Sequence, residues 1–157
     1  MFDALQGFTE SLPGVLQWVG VMLVSAIPLV ESYLGSAIGV IAGINPVVAV
    51  LCAIVGNVVS MFIFVLSAHT VRAKVTAGNA PKVISPRKEK VRERMEKFGV
   101  PTVSLFGQLL LPSQITSAAM VSFGADKRTV IMWQIISIIM WGVLFGVLAT
   151  FGLTQLQ

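Results

Sequence analysis

The hydrophobic pattern divides the chain into two apolar blocks, from about Gly14 to Leu66 and from about Phe98 to Leu153, with a polar stretch between them. Each block holds one long unbroken run, Pro46–Leu66 and Thr129–Thr150, of roughly 20 residues, enough to span a hydrocarbon core of about 30 Å as a helix. The segments before and after Pro28 and Pro112 are shorter, roughly 12–15 residues, and cannot cross alone. They predict helical hairpins that enter to mid-depth, turn at the proline and leave on the side they entered. Such broken backbone is tolerated at membrane depth only where protein or a water-lined cavity surrounds it.

The two blocks read as one unit used twice. Each has an apolar segment, a proline (Pro28, Pro112), a polar patch (Glu31-Ser32, Ser113-Gln114) and a short segment of small residues. Each then has a glycine (Gly43, Gly124), an Asn or Asp suited to cap a helix (Asn45, Asp126) and a long apolar helix, with Pro46 at the favoured first position of the earlier one. Identities are few, and chance similarity between apolar segments is the competing explanation. The polar stretch predicts a loop and a helix, capped by Ser85 with Pro86 first, carrying a Val91, Met95, Phe98 stripe and acid–base pairs such as Glu89–Arg92 and Glu93–Lys97.

Of 157 residues 55% are hydrophobic and only 11% charged, against about 25% charged in soluble domains, which makes this an integral membrane protein. Nine of the eleven Lys and Arg residues lie in Arg72–Lys97, and the other two are Lys127 and Arg128. With Arg72–Lys97 cytoplasmic, the first hairpin dips in from outside and the second from inside, and all eleven basic residues fall on the cytoplasmic side, as the positive-inside tendency asks. The repeats are then inverted, with their hairpins meeting near the midplane. The basic helix reads as a solvated element near anionic headgroups rather than a nucleic-acid surface. The expected architecture is an all-α integral membrane protein. It comprises an interfacial N-terminal segment (1–13), a first repeat (14–68), a cytoplasmic linker helix (69–97) and a second repeat (98–157). Phe2, Leu5, Phe8 and Leu12 give the N-terminal segment an amphipathic face, and Asp3 and Glu10 set it apart from a signal peptide.

Glu31 is the only charged residue between Glu10 and Arg72. A carboxyl group at bilayer depth costs a few kcal/mol even on lenient scales, so such residues face protein or water and serve a purpose. The plainer reading is an acid that snorkels from a helix end. Burial favours its protonated form, whereas the N-terminus of a following half-helix favours the carboxylate.

The stretches IPLVESYLGSAIGVIAG and AIVGN, with FGQLLLPSQITSAAMVSFGADKR leading into MWQIISIIMWG, resemble the putative small multi-drug export protein family, a branch of the DedA/VTT-like membrane superfamily. The resemblance covers nearly all of the chain beyond its N-terminal segment. It implies facing re-entrant loops and transport, of drugs by the family's name and of lipids by superfamily kinship. Superfamily members often carry arginines around the second proline, where this chain has Gln108, Ser113, Gln114 and Ile115. Family members often place a basic residue after the first acid, where it has Ser32 and Tyr33. Both departures weaken any carry-over of tight phosphate binding.

No enzyme constellation is present: there is no His/Glu or Cys/His metal spacing, no GxSxG and no phosphate-cradling glycine loop followed by Lys. His69 reads as interfacial and Cys52 as a lone apolar-span thiol. The expected activity is proton-coupled export of small amphiphilic or cationic compounds, with the proton as coupling ion and no cofactor or metal. The alternatives are a lipid flippase or scramblase (polyprenyl-phosphate or phospholipid) and a non-transporting adaptor. The expected site comprises Pro28, Glu31, Ser32, Gly35, Pro112, Ser113, Gln114, Thr116 and Ser117. Secondary candidates are Asn57 and Gln108, which also read as interhelical glue, and Trp141, which also reads as packing. Two spans and two hairpins enclose little, so a homodimer in the cell membrane is expected, with residues 69–97 and 126–128 cytoplasmic and no nucleic-acid partner.

Overall fold

A computed structural model describes residues 1–76, 86–108 and 110–156, with the side chains of 71–92, 94, 96 and 156 outside the described set. The Ser85 cap, Val91 in the expected stripe and the Glu89–Arg92 pair therefore fall outside it. The described residues form seven helices and no strand: α1 (Phe2–Ser11), α2 (Val15–Ser25), α3 (Glu31–Ile41), α4 (Pro46–Thr76), α5 (Pro86–Gly107), α6 (Ser113–Phe123) and α7 (Lys127–Leu156). Two are long and apolar enough to cross a membrane, over Pro46–Thr70 and Lys127–Gln155.

Both long helices exceed the expected ranges. At 1.5 Å per residue the 31 residues of α4 reach roughly 46 Å and the 30 of α7 roughly 45 Å. Helix α4 does not stop at Leu66. It carries His69, which is exposed, and continues to Thr76, because the Ala, Arg and Lys that follow are good helix formers and no Gly or Pro intervenes. The expected linker thus begins as an extension of the span.

The chain divides into two compact units, one made of Met1–Ser60 with Ile138–Gln157 and the other of Met61–Ser137. Helices α4 and α7 contribute to both.

In unit 1, α2 and α3 are 11 residues each, roughly 16 Å, and fold against each other as an antiparallel hairpin. A Cβ on Gly35 would overlap the Ser25 hydroxyl, and one on Gly39 would lie 3.1 Å from Val21 and 2.8 Å from Ala49 of α4. A Cβ on Gly56 of α4 would overlap the Met22 carbonyl of α2. Without a strong hydrophobic drive between helices in lipid, close backbone approach at small residues holds such a unit together. Helix α1 packs its Phe2 and Leu5 on Val24, Val30 and Ile38 of the hairpin, while Phe8 stays exposed.

Unit 2 holds α5 and α6 together with the remaining parts of α4 and α7. Helix α5 is broken at Gly99 (φ 77°, ψ 167°), two residues before Pro101, so the segment preceding the second proline is shorter than expected. Helix α6 has 11 residues, as α3 does. Both end in the same left-handed glycine motif. Ile44 N–H reaches Gly39 C=O (3.1 Å) at Gly43 (φ 81°), and Ala125 N–H reaches Met120 C=O (3.1 Å) at Gly124 (φ 107°). The next helix is then capped as the sequence predicts, by Asn45 Oδ1 accepting from Val47 N–H (3.0 Å) and Asp126 Oδ2 accepting from Thr129 N–H (2.8 Å).

Candidate functional site in the broken hairpin

The interruption between α2 and α3 is where unit 1 buries its acid. Pro28 and the turn around it end α2, and Leu29 (φ 81°) and Glu31 (φ 55°) both adopt the left-handed region that side-chain-bearing residues avoid. Such strain persists only where the surroundings over-determine it. Here they do. Ala26 C=O accepts from the Ser60 hydroxyl of α4 (2.8 Å), Ile27 C=O accepts from Val30 N–H (3.1 Å) and Glu31 N–H (3.2 Å), and Leu29 C=O accepts from the Tyr33 hydroxyl (2.9 Å). Three carbonyls of the break are thus satisfied within protein, as a membrane interior requires.

Glu31 itself is fully buried at the first turn of α3. Ser32 is also fully buried and donates to Ile138 C=O of α7 (2.8 Å). That reach is possible because residue 142 is glycine: a Cβ there would sit 3.2 Å from the Ser32 Cβ. Ser36, one turn further along α3, lies 3.6 Å from where a Gly146 Cβ would be. Ser32-x-x-x-Ser36 on α3 therefore meets Gly142-x-x-x-Gly146 on α7. The spacing is readable in the sequence, as a small-xxx-small signal for close helix packing, but it is not part of the expected site.

The other expected residues of unit 1 are Gly35, buried against Ser25, and Asn57, fully buried on α4. Trp141 is half-buried on α7 and stacks at a tilt on Phe145 (6.2 Å), which meets Tyr33 edge-on (5.3 Å). These rings run from α7 to the residue that holds the Leu29 carbonyl. Trp141 lines no part of the apolar groove of about 560 Å³ between α4 and α7 that is walled by Val47, Val50, Leu51, Ile54, Val143 and Val147. The one hydroxyl on that wall, Thr150, is occupied by its bond to Gly146 C=O (2.8 Å).

In unit 2 the interruption follows α5, and Pro112 stands immediately before α6. Ser113, Gln114, Thr116 and Ser117 are all buried on the first two turns of α6, and Gln108 is buried in the preceding turn. The structure adds Ser104, Gln134 and Ser137, also buried. Gln134 Nε2 donates to Ser113 C=O (3.0 Å) and the Ser137 hydroxyl to Leu105 C=O (3.5 Å). Polar residues inside a predicted span are the signal that marks Gln134 and Ser137. Among the described residues no group of three His, Cys, Asp or Glu side chains is placed to hold a metal ion.

The described residues are all-helical, with two helices long and apolar enough to cross a membrane and a buried carboxyl at the break between α2 and α3. Residues 31–144 match the family described as putative small multi-drug export protein. The match covers well over half of the chain, and the protein belongs to that family. Neither a curated protein nor a solved structure matches it.

Proposed function

We propose that the protein is a proton-coupled membrane exporter of small amphiphilic cations, in which Glu31 binds proton and substrate in turn. The observation that carries this reading is the placement of the chain's one intramembrane acid, fully buried, at a strained break between two short helices. A charged group at such a place is costly unless a counter-charge visits it. The family's multi-drug export description supplies the substrate class. Ionised, Glu31 attracts a cation. Protonated, it releases that cation and leaves buried hydroxyls. Exchange of the two couples proton entry to substrate exit. The aromatic rings of Tyr33, Phe145 and Trp141 suit the apolar body of such a compound.

The topology proposed with it makes α2–α3 and the α5–α6 segment re-entrant hairpins of inverted repeats, with 69–97 and 126–128 cytoplasmic. The short hairpin helices, roughly half the length of a span, support this. A homodimer in the cell membrane completes the enclosure. A second reading, lipid movement between leaflets, draws on the exposed apolar groove of unit 1.

The test is a proteoliposome assay with an imposed pH gradient. Ethidium should move against its own gradient in wild-type vesicles and not in Glu31→Gln vesicles. Equal rates in the two would remove the proposal. Gradient-independent exchange of labelled phospholipid, unaffected by Glu31→Gln, would favour the second reading.

A further inference from the structure

Helix α1 holds a place in unit 1 that the site described above does not use. Its Thr9 and Leu12 meet Gly20 in the middle of α2, where an added Cβ would lie 2.7 Å from Leu12 Cδ1. Its Phe2 and Leu5 pack on the cluster of Val24, Val30 and Ile38, which spans the break. The helix therefore runs antiparallel to α2 and begins where the hairpin is interrupted. Val30, the residue before Glu31, is fully buried in the cluster that this pair covers.

The other side of α1 is polar. Asp3, Gln6 and Glu10 recur three and four residues apart and share one flank, where the Gln6 amide donates to the Glu10 carboxyl (2.8 Å). Asp3 and Glu10 are exposed. Exposed carboxyl groups near both ends of one short helix are too costly to face hydrocarbon. Water therefore borders this flank up to the level of the break.

The attachment of α1 differs in kind from that of the hairpin it covers. Hydrogen bonds from Ser60 and to Ile138 tie the hairpin to α4 and α7. Among the described residues the side-chain bonds of α1, from Gln6 to Glu10, Thr9 to Leu5 C=O and Ser11 to Phe8 C=O, all close on α1 itself. Apolar packing holds it to the hairpin, and an element held so opens at lower cost than a bonded core. Its covalent joint, residues 12–14, has an extended Leu12 (ψ 137°), a proline without an N–H, and Gly14 at φ 43° with nothing within 4 Å of an added Cβ. We propose that α1 is the lid of the Glu31 site. Closed, it seals the carboxyl from the water on its outer flank; swung out at residues 12–14, it admits that water to the break. That Glu31 is a site rests on the function proposed above, whereas the cover over it rests on packing and charge.

Thiol labelling of the full-length protein in vesicles tests the lid without substrate or pH gradient, and so apart from the ethidium assay. In a Cys52→Ala background, Glu31→Cys should react slowly with an impermeant quaternary-ammonium methanethiosulfonate. It should react at least about tenfold faster once Phe2→Ser and Leu5→Ser remove the packing. Ala53→Cys, fully buried in the core cluster that α4 shares with Val21, should stay slow in both backgrounds. Asp3→Cys should react fast with the lid intact. Faster labelling at position 31 beside a failed ethidium assay would keep the lid and remove the transport alone. Unchanged labelling at position 31, an equal rise at position 53, or no reaction at position 3 from either side of the membrane overturns the proposal. Should the double variant fail to fold, Leu5→Ser alone carries the comparison.

Discussion

At the scale of single residues, the hairpin tip concentrates what is unusual in unit 1: a buried acid and two side-chain-bearing residues in left-handed conformation. Leu29 is 62% exposed, so its side chain gains little from packing while its backbone is strained. Leu29→Gly should therefore raise stability by up to about 1 kcal/mol, the strain relieved less the added freedom of the unfolded chain. Thermal unfolding in detergent reads this, and an unchanged or lowered midpoint would contradict the strain. Glu31→Gln keeps the size of the side chain while removing its ionisable group. It should leave the melting temperature equal or higher, because a buried charge is a poor stabiliser, while abolishing ethidium transport. Loss of folding instead would mark Glu31 as structural. The acid was conspicuous in the sequence, since one charge in a long apolar run needs no coordinates to stand out. The bonds that hold the residues around it were not, because Ser60, which donates to Ala26 C=O, and Ile138, whose carbonyl accepts from Ser32, come from helices far along the chain.

Elements show the reverse. The glycine motifs and Asx caps that end α3 and α6 and begin α4 and α7 were readable because each is settled within a few neighbouring residues. The ends of the long helices were not, because helix propensity carries α4 past the point where hydrophobicity stops. Close approach of α2 and α4 hinges on Gly56, whose missing Cβ makes room for the Met22 carbonyl. Backbone cannot give way as a side-chain tip does, so Gly56→Val should separate the two helices and cost on the order of 3 kcal/mol or more. A variant as stable as wild type would show that the two backbones do not meet. The cap of α7 carries a pH signature. The backbone N–H of Thr129, then its hydroxyl, hold the Asp126 carboxyl below its ordinary range. A lowered folded-state value means the cap stabilises fully above the unfolded-state carboxyl range, near 3.9, and is lost as pH falls through the folded value. The Thr129 amide resonance should report that titration, with its inflection below the ordinary aspartate value. An inflection at or above it would contradict the cap.

For the whole molecule, the proposed topology makes one sharp demand. Cysteines placed at Arg87 and at Lys127, in a Cys52→Ala background, should be labelled by an impermeant thiol reagent from the same side of the membrane. Cys52 is the one native thiol, and replacing it removes background labelling. Labelling from opposite sides would end the inverted arrangement, and the facing-hairpin mechanism with it. Both long helices could be read from length and hydrophobicity, but the composition of the units could not. Unit 1 draws on the first 60 residues and on those after 137, a partition no local pattern announces. That partition has a bearing on biosynthesis. Ser32 leaves the ribosome 106 residues before the carbonyl it will bond. At about 5–20 residues per second, the acid-bearing hairpin waits on the order of ten seconds for the helix that seals it. During that interval water or the insertion machinery must shelter the carboxyl, so a chain stalled before Ile138 would enter the bilayer with its most costly side chain still uncovered.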